Sequence, residues 1–247
     1  MKLNARWLLP NSILQAGRHW LHGQPTPSEA FETIYRDGAW GQSADPTEAF
    51  YSGAGSHMPS IVPVYVEAVE KFLGTLERRP DVVDLGCGDF AIGAKVRGLC
   101  AGYIACDVVG ALIARNRQKH ADLDVDFRVL DITAEALPDG DVVFIRQVLQ
   151  HLSNRQIRAV VDKLQNRYRH VVLTEHLPST PDFTPNVDKA VGADTRLTLG
   201  KNGSGVVLTA APFNLRVSDT TLLCEVPEPG SVIQTLVYTL PNAPRAR

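Results

Sequence analysis

Cysteine is sparse in this chain and shows no pairing pattern. Cys87, Cys100, Cys106 and Cys224 are the only four, and none forms a C-x-x-C pair. That argues against a zinc site and reads as buried free thiols in a reducing cytoplasm. No run approaches the ~20 apolar residues of a membrane span. The opening MKLNARWLLPNSIL has basic residues, but Pro10 interrupts its short apolar part, so it makes a poor signal peptide. Net charge is only −2, which leaves no basic footprint for nucleic acid or an anionic membrane. Arg155/Arg158 and Arg167/Arg169 read as solvated helix faces. There is no internal repeat, no low-complexity tract and no acid cluster whose spacing requires a metal. These absences give a cytoplasmic chain with no membrane insertion, no nucleic-acid partner and no metal, and they leave the oligomeric state open.

What is present is ordinary in amount and informative in order. Apolar residues make up 44% and charged residues 21% of 247 positions, as in a globular chain of one large domain or one domain with extensions. Residues 1–58 are mixed, with Trp7, Trp20 and Trp40 among Gly and Pro, and form an N-terminal extension or lid. Within it Ala30, Phe31 and Ile34 share one side of a helix over Ser28–Tyr35, and WGQSADPTEAFYSGAGSHMPS reads as a loop. Val62, Tyr65, Val69, Phe72 and Leu76 recur at helical spacing.

From residue 81 the pattern alternates regularly. Strand DVVDLG precedes a helix with Ile92, Val96 and Leu99 on one face. Strand GYIACD leads to a helix from Gly110 to His120, and VDFRVLD ends at Asp131. DVVFIR is a short β-branched run suited to a buried strand. SNRQ is a capping box for a helix striped with Ile157, Val160, Val161, Leu164 and Tyr168, and HVVLTE is the fifth strand. Residues 177–219 lose the rhythm, after which TTLLCEV and SVIQTLVYTL make a hairpin about PEPG. The expected fold is α/β and Rossmann-like: a seven-stranded, mostly parallel sheet with helices on both faces and an antiparallel C-terminal strand. It occupies residues 59–247.

In VVDLGCGDFAIGA, Gly86, Gly88 and Ala91 match a G-x-G-x-x-G/A dinucleotide fingerprint. Ligands in such sheets lie beyond the carboxyl ends of the strands, which here carry Gly86–Gly88, Asp107, Asp131, Arg146-Gln147 and Glu175-His176. Asp107 follows the glycines by about 20 residues and suits a ribose diol in NAD or S-adenosylmethionine alike. Asp84 and Asp89 discriminate better. A pyrophosphate at a helix N-terminus uses unpaired amides and partial positive charge, and Asp89 would compete with it there. Asp89 as a plain helix N-cap is the alternative. A sulfonium and an ammonium are welcome beside carboxylates, so the charges favour S-adenosylmethionine over NAD.

VVDLGCGDF, YIACD and VLDIT, in that order and spacing, resemble motifs I to III of class I S-adenosylmethionine-dependent methyltransferases, over about residues 60–240. The resemblance implies that Gly86 and Gly88 line the methionine and ribose portion. It further implies that Asp107 takes the ribose hydroxyls and that Asp131, with Ile132 flanking, takes the adenine amino group. Asp84, Val108, Arg146 and Gln147 complete the cofactor set at the strand ends. IYRDGAWG…YSGAGS, RQVLQHLS, TEHLP, NVD and APFNL are similar to a bacterial subgroup sometimes linked to glycan or secondary-metabolite clusters. That likeness implies that Ser52, Gly53, Gly55 and Ser56 help close the cofactor pocket. Gln147 stands where the subgroup commonly has an acid, so no acidic role is assigned there.

Methyl transfer needs alignment, exclusion of water and, for a hydroxyl acceptor, removal of a proton. His151 is the leading base, with packing against a helix start as its alternative, and His176 is second. Alternating strand geometry puts Glu175 and His176 on opposite faces. Arg146 either orients an anionic acceptor or, preferably, pairs with a neighbouring acid. Asp188 is an acceptor-binding candidate, and Trp40 and Tyr51 cover the cofactor or pack in the core. The expected activity is O-methylation of a hydroxylated small molecule or saccharide. A non-catalytic S-adenosyl ligand-binding protein and an NAD-dependent oxidoreductase stand as alternatives.

Overall fold

The computed structural model describes residues 25–241; Trp7, Trp20 and the opening stretch lie outside them. Helix α1, Pro27–Asp37, starts on a capping box in which Thr26 and Glu29 satisfy each other's backbone amides. It stops at Gly38, whose φ of 61° is the left-handed turn that closes a helix. An irregular stretch with one 3-10 turn at Ala54–Ser56 leads to α2, Val62–Gly74. The alternating core then runs β1 Val82–Leu85, α3 Gly93–Val96, β2 Tyr103–Asp107, α4 Gly110–Lys119, β3 Asp126–Val129, β4 Val142–Arg146, α5 Asn154–Leu164 and β5 His170–Pro178. The hairpin of β6, Asp219–Glu228, and β7, Ser231–Thr239, closes the chain.

The sheet has seven strands in the order β3-β2-β1-β4-β5-β7-β6. Pairings from β3 through β5 are parallel, and β7 runs antiparallel to both its neighbours. The chain reverses direction across the sheet between β1 and β4, so the crevice for a ligand opens above those two strands. Val82, Val83, Val142, Val143, Val171 and Val172 are all buried, as strands covered on both faces require. One face packs on α5 through Ile157, Val160, Val161 and Leu164. The other packs on α2 and α4 through Tyr65, Val69, Leu73 and Ile113. Ser153 and Gln156 form the capping box expected of α5.

Two local expectations are corrected. The helix after the glycine loop is only Gly93–Val96, continued by a 3-10 turn at Arg97–Leu99. Phe90 has φ 64° and breaks the turn before it can join that helix. Asp89 is therefore no N-cap; its Oδ1 accepts from the amide of Ala91 instead. The fifth strand also runs to Pro178, paired throughout with β7, which places His176 inside the sheet rather than beyond it.

Ile157 is fully buried in the α5 contact. Ile157→Ala is expected to cost about 2–4 kcal/mol, read from the shift of the denaturant midpoint at unchanged slope.

Candidate active site

A cavity of about 260 Å³ opens above the carboxyl ends of β1 and β4. It gathers every cofactor and catalytic candidate. Asp84, Gly86, Gly88, Asp107 and Val108 come from β1, β2 and their loops. Asp131 and Ile132 follow β3, and Arg146, Gln147 and His151 follow β4. His176 comes from β5, while Trp40, Ser52, Gly53 and Ser56 come from the N-terminal extension. Tyr51 and Asp188 do not line it. Tyr51 stacks on His57 at 4.6 Å, and Asp188 accepts the first amide of α5, from Asn154, at 2.7 Å.

The glycine loop and the extension are bonded reciprocally. Asp89 Oδ2 accepts from the amide of Ser52 at 2.8 Å, and the amide of Asp89 donates to Ser52 Oγ at 2.8 Å. Tyr35 OH joins Ser52 Oγ at 2.9 Å, and His57 Nε2 lies 2.6 Å from Asp89 Oδ2. Burial alone would raise the Asp89 carboxyl, but hydrogen bonds from His57 and Ser52 outweigh it and hold it below its ordinary value. Two glycines permit this closeness. A Cβ at Gly88, where φ is +56°, would fall 2.4 Å from Ser52 Oγ. One at Gly55 would fall 2.0 Å from Gln147 Oε1.

Asp107 accepts from the amides of Gly88 at 3.1 Å and Val109 at 3.0 Å, which fixes its carboxylate between the loop and α4. Asp131 Oδ1 accepts from the amide and hydroxyl of Thr133, and Oδ2 has no protein partner among the described residues. Asp84 accepts from Tyr103 OH at 3.0 Å. Burial raises Asp84 to about 7 and Asp107 to about 6.

The other half of the cavity holds the bases. His151 Nδ1 lies 3.2 Å from the carbonyl of Gly192, which can only accept, so Nδ1 carries the proton. Nε2 then accepts from the Gln150 amide at 3.3 Å. Burial, with Lys189 nearby, lowers His151 to about 3. Phe31 and Trp40 pack against its ring, at 6.3 and 4.9 Å between centroids. His176 differs: its Nε2 is buried and has no protein partner, and burial lowers its pKa from the ordinary histidine value.

Glu175 faces the opposite side of β5. It accepts from the amides of Leu149 at 3.0 Å and Gln150 at 3.2 Å, while burial raises it to about 8 against the pull of Arg196. Arg146 is corrected: no carboxylate lies within 4 Å of its guanidinium among the described residues. It donates instead to the carbonyl of Gly55, to Ser56 Oγ and to Gln147 Oε1. Sequence reasoning missed Gln150, Tyr65, Tyr103 and Arg196. Gln150 and Tyr103 lie inside quoted motifs that assign them no role, Tyr65 reads as helix core and Arg196 sits in an irregular stretch, and only the fold brings them to the cavity or to the turn beneath it.

The family model described as "Methyltransferase domain" matches residues 83–170. Methyltransferase-like sequence thus runs from β1 to the start of β5. The fold is similar to that of the N-methyltransferase NodS from Bradyrhizobium japonicum WM9 in complex with S-adenosyl-L-homocysteine. Identity is 15% and the TM-score 0.59, over 85% of this chain and 98% of that one. The N-terminal domain of EvdMO1 with S-adenosylhomocysteine bound is 13% identical at a TM-score of 0.54, over 88% of this chain and 100% of that one. The DhpI–S-adenosylhomocysteine complex is 19% identical at a TM-score of 0.50, over 78% and 90%. No curated protein matches this chain in sequence. The residues present fit S-adenosylmethionine. The loop turns tightly at Gly86 and Gly88, both at positive φ. Asp131 keeps an unpartnered carboxylate oxygen, and the buried acids Asp84 and Asp107 suit a ligand bearing an ammonium and a sulfonium.

Among the described residues no group of three or more His, Cys, Asp or Glu side chains is placed to hold a metal, and no helix is long and apolar enough to cross a membrane.

Asp84 supplies a pH test. Its carboxyl is raised in the folded state, so its stabilising contribution is complete below the unfolded value near 4 and is lost as pH rises through about 7. Asp84→Asn is expected to gain thermal stability over the wild type, increasingly from pH 5 to pH 8 and by up to about 4 kcal/mol. The same variant is expected to bind S-adenosylmethionine more weakly at pH 8. A difference in melting temperature that stays flat with pH would contradict this.

Proposed function

We propose that this chain transfers a methyl group to a hydroxyl of a small molecule or saccharide. The observation that carries this reading is His176, a neutral imidazole that lines the cavity on the far side of β4 from Asp107 and Asp131 and whose buried Nε2 has no protein partner. S-adenosylmethionine, when bound, supplies an activated methyl carbon. Asp107 and Asp131 hold its ribose and adenine ends, Val108 and Ile132 flank them, and Gly86 and Gly88 let its methionine portion approach the backbone. Residues 27–56 act as the lid: Trp40, Ser52, Gly53 and Ser56 roof the cavity and exclude water from it.

The two histidines divide the work. His151 is too weak a base to hold a proton near neutral pH, because the ideal base titrates close to the working pH. Its nitrogens are both engaged, Nδ1 by Gly192 and Nε2 by Gln150, so it shapes the wall of the cavity rather than moving a proton. His176 stays closer to the ordinary histidine range and takes the hydroxyl proton. An amine acceptor is the second reading. It is supported by the likeness to NodS, an N-methyltransferase, and by the fact that a free amine needs no base.

A broad acceptor panel scored by release of S-adenosylhomocysteine tests both. His176→Gln is expected to lower kcat on hydroxyl acceptors about 10²–10⁴-fold, with S-adenosylhomocysteine affinity within about threefold of wild type. Turnover of amines alone, unaffected by His176→Gln, would replace the first reading with the second. Cofactor binding without transfer to any acceptor would leave a non-catalytic ligand-binding protein.

A further inference from the structure

We infer that Arg146 is the binding residue for an anionic oxyacid group, carboxylate or phosphate, on the methyl acceptor, so that the acceptor is an acid. The inference rests on the methyltransferase reading above. A guanidinium lining a cavity is costly without a counter-charge, yet Arg146 has only neutral partners: the carbonyl of Gly55, Ser56 Oγ and Gln147 Oε1. Its ring contact, 4.9 Å over Tyr65, is neutral as well. Its Nε is buried with no partner at all. Asp84 and Asp89 act on it only at a distance: Asp84 accepts from Tyr103, Asp89 from Ser52 and Ala91, and neither makes an ion pair with Arg146. Burial accordingly pulls the Arg146 pKa down from its ordinary value.

Position assigns this unmet charge to the acceptor. The order β3-β2-β1-β4-β5 puts Asp131 and Asp107 at the ends of the first two strands, on one side of the glycine loop. Arg146 and His176 belong to β4 and β5, on the other side. Arg146 is paired in register with Thr174, and side chains at paired positions and two residues on share a face. Arg146 and His176 therefore point to the same face of adjacent strands, roughly 8 Å apart along the sheet. An acid group on Arg146 would hold a hydroxyl a few bonds away against His176. A guanidinium whose Nε makes no hydrogen bond keeps a donor for an oxyanion oxygen.

Calorimetry on the S-adenosylhomocysteine-loaded protein tests this with matched probes. Glucose, glucuronate and glucose 6-phosphate differ at one carbon, and 4-hydroxybenzyl alcohol and 4-hydroxybenzoate form an aryl pair. At least one acid is expected to bind about tenfold or more tighter than its neutral partner, as a charged hydrogen bond predicts. Arg146→Gln should abolish that preference, and Arg146→Lys should retain part of it. Which acid binds separates carboxylate from phosphate. Equal binding of acids and neutral partners, no binding by any acid, or a preference that survives Arg146→Gln would overturn the inference. So would a tenfold loss of S-adenosylhomocysteine affinity in Arg146→Gln with 5′-methylthioadenosine binding unchanged, because that assigns the guanidinium to the cofactor's own carboxylate. Failure of wild type to bind S-adenosylhomocysteine would instead count against the methyltransferase reading.

Discussion

The 3-10 turn at Leu149–His151 is clamped from two sides by buried charge, and the geometry of the cavity depends on that clamp. Below it, Glu175 takes the amides of Leu149 and Gln150. Beside it, Arg196, 1% exposed, gives its guanidinium protons to the carbonyls of Leu149, Gln150 and Leu152 and its Nε to Val187. The turn's donors thus meet the two carboxyl oxygens of Glu175 and its acceptors meet a guanidinium, so its backbone polarity is satisfied in both senses. Removing either side chain would leave buried backbone groups of the turn without partners, at about 1–3 kcal/mol for each group. Three separate pieces of chain are fastened by this arrangement: β5, the turn, and the irregular segment 177–219. Gln150 and His151 inherit their orientation from it. The Gln150 side chain is fixed further by the amide of His176, which donates to its Oε1 at 3.3 Å.

Charge is distributed unequally across the cavity. The β1–β2 side is acidic, with Asp84 and Asp107 both raised by burial and the charge of Asp107 adding to the cost of ionising Asp84. Asp89, the third acid of that region, is spent on holding the extension against the glycine loop. The β4–β5 side carries the guanidinium and the imidazoles. A cationic cofactor and an anionic acceptor are complementary to these two halves, and each would relieve a desolvation cost that the protein alone bears.

Most of the fold was legible because its signals are local. Val, Ile and Phe runs mark strands buried on both faces, and Ser153 with Gln156 marks the start of α5 within four residues. The cofactor half was legible for the same reason: Gly86, Gly88, Asp107 and Asp131 each end a recognisable strand, in a fixed order. The acceptor half was only partly so. His151 and His176 announce themselves by residue type, but nothing nearby in sequence reveals that Gly192 and Gln150 consume both nitrogens of His151 while Nε2 of His176 stays free. Arg196 lies in a stretch with no periodicity, more than 40 residues from the turn it binds. The pairing expected of Arg146 failed because the acids close to it in the fold are committed to Tyr103 and to backbone amides. The short α3 escaped notice because the left-handed Phe90 interrupts an otherwise helical pattern.

One contact joins the two walls of the cavity. Trp40, in the extension that roofs the cofactor side, donates from Nε1 to the carbonyl of Ala193 at 3.3 Å and packs on His151. Ala193 belongs to the segment that borders the acceptor side. Any ligand whose seating tightens or loosens this bridge alters both compartments at once. Thermodynamic linkage then makes the effect mutual: whatever factor the cofactor imposes on acceptor affinity, the acceptor returns to the cofactor.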